Sequence, residues 1–325
     1  MGLPEITLTD RELYEALALR VDGKVTSNRA QKRLQQSNAL NLGKTLFSQQ
    51  IDFITDPSKR KAAICSRRSG KSFAAGRYLI KEALEDAGTT CVYIARTREA
   101  AKRILWSSLK EANQQFRLNI KFNNADLIAV FPNQSKIMFT GANDASDVDK
   151  LRGAAFSLAV LDEAAFFNIN LKELVNEVIT PALLDRDGSL VMISTPNSLC
   201  HGFFYDITEK GTYNFSIHRW TVKDNPYMKH AVRAIYEDIE KGIINPSDPS
   251  FKREYLGLWV RDDQEIVYGY SQENLFEDRP DSNEWEHILG IDLGYHDATA
   301  FVVVAFSPHY PVLYVIDEFK QTRML

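Results

Sequence analysis

The stretch AAICSRRSGKSFAAGRYLIKEALED, Ala62–Asp86, decides the fold. It passes from a short apolar strand, AAIC, through a loop of Ser, Arg and Gly into an amphipathic segment whose spacing predicts a helix from Lys71 to about Asp86. Cys65–Ser72, CSRRSGKS, follows the phosphate-loop pattern G-x-x-x-x-G-K-[ST] with Cys65 in place of the first Gly. The half that carries chemistry is intact. Gly70 lets the backbone approach a phosphate, and the N–H groups from Ser69 onward and the helix N-terminus face an anion. Lys71 neutralises β/γ charge and Ser72 ligates Mg²⁺. Taken alone, SGKS is equally a turn before a helix with a solvated lysine, so the surrounding sequence has to decide.

Working outward, TCVYIA (Thr90–Ala95) is a second strand, followed by a helix over Glu99–Asn113. DLIAVF and KIMFT straddle Pro132-Asn133 and read as a hairpin. SLAVLD and SLVMIS are buried-strand candidates with a helical segment between them. Strands alternating with helices predict an α/β fold with a parallel sheet; together with the phosphate loop, the expected fold is a P-loop NTPase (RecA/ASCE-like) core. LAVLDE, Leu158–Glu163, ends its strand in two acids. Asp162 holds the metal through Ser72, and Glu163 polarises an attacking water. A strand ending in two acids is ordinarily just polar, but in the same α/β block as a P-loop the pair points to Mg-ATP hydrolysis. Arg67 inside the loop is placed to stabilise transition-state charge in cis, whereas Arg68 reads as solvated or paired with an acid.

The 325 residues include 39 Lys+Arg and 43 Asp+Glu, but the net charge of −4 hides an asymmetry. Residues 1–110 carry net +9 and residues 111–325 net −13. A basic front suits a phosphate backbone, although charged helix faces are usually just solvated. Cys65, Cys91 and Cys200 are three separated cysteines, which excludes a complete disulfide framework and a C-x-x-C metal pair. The six His include no H-x-x-x-H pair, which argues against a zinc hydrolase. The apolar run Phe301–Phe306 is too short to span a bilayer, and the start of the chain has no signal-peptide pattern. No membrane partner is expected, and the expected compartment is cytosol.

The ordered set of motifs resembles the large terminase subunit of tailed bacteriophages, a DNA-packaging motor and nuclease. SRRSGKS is joined by KLRGAAFSLAVLDEAA (Lys150–Ala165), ISTP (Ile193–Pro196), FKREYLGLW (Phe251–Trp259) and GIDLGYHDATAFVV (Gly290–Val303). The last of these is similar to the opening strand of an RNase H-like nuclease. The resemblance implies that Lys71 and Ser72 bind ATP and Mg²⁺, Asp162 supports the metal, Glu163 is the catalytic carboxylate and Arg67 a cis arginine. It implies that Arg152 is a trans arginine finger, that Ser194 and Thr195 sense hydrolysis, and that Gln50 reads adenine, with Gln49 the adjacent alternative. In a nuclease site, Asp292 would bind one of two Mg²⁺ or Mn²⁺ ions. Asp297 is a helper there, and Asp317 or Glu318 is a second acid or, as the preferred reading, a strand terminus.

The implied partners are double-stranded viral DNA, a small terminase subunit, a portal protein and further copies of the chain in a ring, in the cytoplasm of an infected bacterial host. Arg96, Arg98, Lys102 and Arg103 would face a DNA phosphate track, while Trp106 belongs to the core. The expected organisation is a helical appendage (1–45), an ATPase domain (46–265), a linker (266–286) and the first strands of a nuclease domain (287–325), expected to be C-terminally incomplete and so doubtful as an endonuclease. The rivals are a helicase-like or DNA-repair translocase, for which the expected second RecA-like repeat is absent, and a non-catalytic DNA- or capsid-binding module with a vestigial P-loop.

Overall fold

The computed structural model describes residues 42–143, 145–261, 274–276, 278, 280–281, 284–294 and 298–322. The appendage expected over 1–45 falls almost entirely outside these residues, as do Asp297 and most of the expected linker. By its internal contacts the chain divides into two compact units, residues 1–265 and 266–325.

In the first unit, helix α1 (Ser48–Thr55) leads into β1 (Arg60–Cys65), α2 (Lys71–Glu85) and β2 (Thr90–Ala95). A helical stretch then runs Arg98–Ala101, Lys102–Trp106 and α3 (Ser107–Phe116), its middle piece a π-helical turn. It extends beyond the expected Glu99–Asn113 at both ends. The Thr97 hydroxyl caps its start by accepting from the Ala100 N–H. Strands β3 (Lys121–Asn123), β4 (Ile128–Val130) and β5 (Lys136–Gly141) come next. They are followed by β6 (Leu158–Asp162), helical pieces within 171–184, β7 (Ser189–Ser194) and β8 (Ser216–Trp220). Helices α4 (Lys229–Glu240) and α5 (Pro249–Leu256) complete the unit.

These strands form one eight-stranded sheet in the order β3-β4-β5-β2-β6-β7-β1-β8. The six strands from β5 to β8 are parallel, and β4 and β3 add an antiparallel edge. The parallel strands are nearly continuous apolar runs because both faces are covered. Ala63, Cys65, Tyr93, Val160 and Ile193 pack beneath α1, α2 and α3, while Ala62, Ile64, Ile94, Leu161 and Met192 pack against 171–184 and Phe203–Ile207. Trp106 is in the first of these cores, as its sequence context predicts. The strand order places β7 between the P-loop strand β1 and the acid-bearing strand β6. Parallel direction brings the C-terminal ends of β1, β2, β6, β7 and β8 to one edge, where α/β sheets bind ligands.

The second unit contains β9 (Glu286–Asp292), β10 (Ala298–Ser307) and β11 (Tyr310–Thr322) in an antiparallel sheet, order β11-β10-β9. Here one expectation is corrected. Asp317 and Glu318 do not terminate their strand, because β11 continues to Thr322. The Tyr310–Thr322 strand pairs with β10 all the way to Ala298, and that pairing carries it past the two acids.

Candidate nucleotide site

The loop between β1 and α2 turns through Arg68 and Gly70, both left-handed, with φ of 60° and 84°. Such angles suit glycine. At Gly70 a side chain is also excluded by space, since a Cβ would lie 2.7 Å from Gln50 Nε2. Lys71, the first residue of α2, is buried, and its Nζ lies 3.1 Å from Glu163 Oε1. Burial works against the ammonium charge, but Glu163 and Asp162 outweigh it and hold the lysine above its usual pKa. Ser72 Oγ donates to Asp162 Oδ2 at 2.7 Å. The motifs at the ends of β1 and β6 thus meet despite 90 intervening residues.

Asp162 is completely buried. Desolvation and the neighbouring Glu163 charge raise its pKa. Its other partners are the Glu163 N–H, at 2.8 Å to Oδ1, and the Tyr93 hydroxyl from β2, which donates to Oδ2. Tyr93 was not singled out from sequence, because a tyrosine inside TCVYIA reads as core. Glu163 itself has a φ of 57° and keeps 31% of its side-chain surface open. Ser72 and Asp162 supply the oxygen donors that a hard cation takes. Ser69 Oγ is buried with no nitrogen or oxygen partner among the described residues, only the Cys65 thiol beside it.

The remaining candidates fall into groups. Ser194 Oγ, at the end of β7, accepts from the Ala165 N–H at 3.1 Å and donates to Thr195 O at 2.8 Å, joining the ISTP turn to the residues after Glu163. Gln50 is buried, with Oε1 accepting from the Phe47 N–H and Nε2 donating to Gly70 O at 3.0 Å. Gln49 is half-buried and donates to Asp224 Oδ1 at 3.3 Å. Arg67, 70% exposed, places Nε 2.6 Å from Glu254 Oε2 of α5, and its N–H donates to Glu254 O at 2.7 Å. The acid-paired arginine is therefore Arg67, while Arg68, expected to be solvated or paired with an acid, is exposed.

Arg152 pairs with Asp149 at 3.1 Å on an exposed turn and makes none of the hydrogen bonds of the P-loop site. Arg96 donates to Asn168 and Arg98 to Ala125 O, while Lys102 and Arg103 line an open groove with Trp106, Lys110 and Asn124. In the second unit, Asp292 is exposed at the end of β9. Cross-strand register puts Glu318, and not Asp317, on the same face as Asp292, through Ala300 and Val302 of β10. Among the described residues no three His, Cys, Asp or Glu side chains gather to hold a metal.

A parallel sheet with a P-loop after one strand and paired acids after another defines a P-loop NTPase. The family described as "Terminase large subunit, T4likevirus-type, N-terminal" matches residues 63–275, and the chain belongs to it. The large terminase subunit of Escherichia phage T5 is 26% identical over 285 residues, covering 84% of this chain. That match takes in 62% of the T5 protein, so the chain spans about three fifths of its relative's length. Among solved structures, the large terminase of a thermophilic bacteriophage in complex with ADP aligns with a TM-score of 0.54 at 19% identity, over 85% of this chain and 68% of that one. The Thermus phage P74-26 large terminase ATPase domain aligns with a TM-score of 0.53 at 23% identity, over 73% of this chain and all of that one. Both likenesses are of fold.

Proposed function

We propose that this chain hydrolyses ATP and couples hydrolysis to movement of double-stranded viral DNA into a procapsid. The observation that carries the reading is the meeting of Lys71 with Glu163 and of Ser72 with Asp162 at one sheet edge. The N–H groups of Ser69, Gly70 and Lys71 cradle the phosphates, and Lys71 leaves Glu163 for the terminal phosphate. Glu163, released from that pair, takes a proton from the attacking water. Ser72 and Asp162 hold Mg²⁺, which when bound supplies charge neutralisation on the phosphates. Arg67 exchanges Glu254 for developing negative charge, and Gln50 or Gln49 reads the base. The ADP held by the relative from a thermophilic bacteriophage favours this assignment.

Ser194 and Thr195 relay the state of the site through Ala165. Copies of the chain form a ring in which Arg152 reaches a neighbour's nucleotide, with Arg96, Arg98, Lys102 and Arg103 along the DNA. A portal and a small terminase subunit complete the motor in the host cytoplasm. Asp292 contributes to a Mg²⁺- or Mn²⁺-dependent nuclease site with Glu318 as its companion, and the domain plan is ATPase over 46–265 followed by a nuclease from 287.

The test is DNA-stimulated ATP hydrolysis. Lys71→Ala and Glu163→Ala are expected to lose turnover by at least about 100-fold, and wild-type rates in either would sink the reading. Arg152→Ala should lose activity only under conditions where subunits associate; equal loss in dilute monomer contradicts its trans role.

A further inference from the structure

Three consecutive carbonyls of the P-loop each accept a hydrogen bond from a side chain on the loop's outer side. Arg68 O accepts from Asn225 Nδ2 at 3.1 Å, Ser69 O from Trp220 Nε1 at 3.1 Å and Gly70 O from Gln50 Nε2 at 3.0 Å. All three donors are buried. They come from separate elements: Gln50 from α1, Trp220 from the last position of β8, and Asn225 from the turn beyond it.

In a trans peptide the carbonyl of one residue and the N–H of the next point in opposite directions. Holding the carbonyls of Arg68, Ser69 and Gly70 outward therefore aims the N–H groups of Ser69, Gly70 and Lys71 inward, towards the site. These are the donors that meet phosphate in a loop of this kind. Gly70 is conformationally permissive and Arg68 holds a left-handed conformation that costs energy for a residue with a Cβ, so contacts from outside the loop help to select one peptide orientation. We propose that Trp220 and Asn225 are positioning residues for phosphate binding: alongside the Gln50 amide on Gly70 O, they fix the peptide planes of the P-loop from behind, and the two of them touch no nucleotide themselves.

The neighbouring geometry supports a built device. β8 pairs in parallel with β1 so that Trp220 stands beside Cys65, the residue from which the loop departs. The Ser66 N–H donates to Trp220 O at 3.3 Å, and Ser66 Oγ accepts from the Val222 N–H at 2.7 Å. Asn225 is itself fixed, because its Oδ1 accepts from the Tyr227 N–H at 3.1 Å. The indole of Trp220 packs on Phe53, with ring centroids 5.5 Å apart.

The inference rests on the P-loop reading, and its test keeps the two apart. Trp220→Phe deletes one N–H and keeps an aromatic ring, while Asn225→Ser keeps an oxygen for the Tyr227 N–H and withdraws the amide from Arg68 O. Calorimetric titration of the full chain with inorganic tripolyphosphate and with ADP, in EDTA, reads phosphate binding without turnover. Each variant is expected to bind both probes about 3- to 10-fold more weakly, the worth of one hydrogen bond. KM for ATP should rise in proportion, while kcat at saturating ATP falls no more than about threefold. Unchanged affinities in two folded variants overturn the proposal while leaving the P-loop reading in place, provided Lys71→Ala still abolishes binding and turnover. Equal losses of kcat and kcat/KM, with unchanged tripolyphosphate affinity, overturn it as well. If Lys71→Ala binds and hydrolyses like wild type, it is the P-loop reading that fails.

Discussion

Glu163 leaves β6 in a left-handed conformation that a non-glycine residue adopts at some energetic cost, and its carboxylate turns back to Lys71. An acid that meets the P-loop lysine without being fully buried is suited to move a proton. Glu163→Gln keeps the shape and removes the basicity, so turnover is expected to fall by about 100-fold or more with ATP affinity held within about threefold; equilibrium binding and single-turnover hydrolysis check both halves. Tyr93→Phe is expected to cost about 1–2 kcal/mol in urea denaturation, since the buried Asp162 loses one donor and retains Ser72 and the Glu163 N–H. At this scale the legible residues were Lys71, Ser72, Asp162 and Glu163, because each chemical group sits next to its own strand end. Tyr93, Trp220, Asn225 and Glu254 were not. Their roles come from pairings across the sheet or from far along the chain, and locally they read as core, strand end, turn and helix surface.

Among the elements, β1 carries a lysine that belongs to none of the motifs. Lys61 is buried, donating to Phe53 O of α1 at 3.2 Å and to the Tyr78 hydroxyl of α2 at 3.0 Å. It thus ties β1 to both α1 and α2. Desolvation lowers its pKa from 10.5 to about 8. The unfolded chain then binds more protons than the folded one between pH 8 and 10.5, so this group makes stability rise with pH across that window, by up to about 3 kcal/mol. Burial pushes the Tyr78 hydroxyl the other way, with opposite sign above pH 10. The difference between wild-type and Lys61→Met unfolding free energies should therefore change steadily from pH 8 to 10; a flat difference contradicts the assignment. The strand-helix alternation was legible because parallel strands here are continuous apolar runs. Strand β8, SIHRW, was not, since an edge strand with Ser, His and Arg lacks that signature, and its position follows only from pairing with β1.

At the scale of the molecule, the charge asymmetry of the sequence has one local expression in the groove of Lys102, Arg103 and Lys110 beside the π-helical turn. If DNA phosphates lie there, replacing Lys102 and Arg103 together by Ala lowers the slope of log binding constant against log salt by about 1 per cation. An unchanged slope in filter-binding titrations removes these residues from the track. The two units also correspond to different degrees of legibility: motif order carried the first, whereas the second showed its strands but misled about where β11 stops. The backing of the P-loop has a further consequence, in time. Ser66–Ser72 leaves the ribosome early, while Trp220, Asn225 and Glu254 emerge some 150 to 190 residues later. Until then the carbonyls of Arg68 and Ser69 lack their side-chain donors, so a nascent chain arrested before about residue 220 is expected to carry the phosphate motif and yet retain nucleotide poorly.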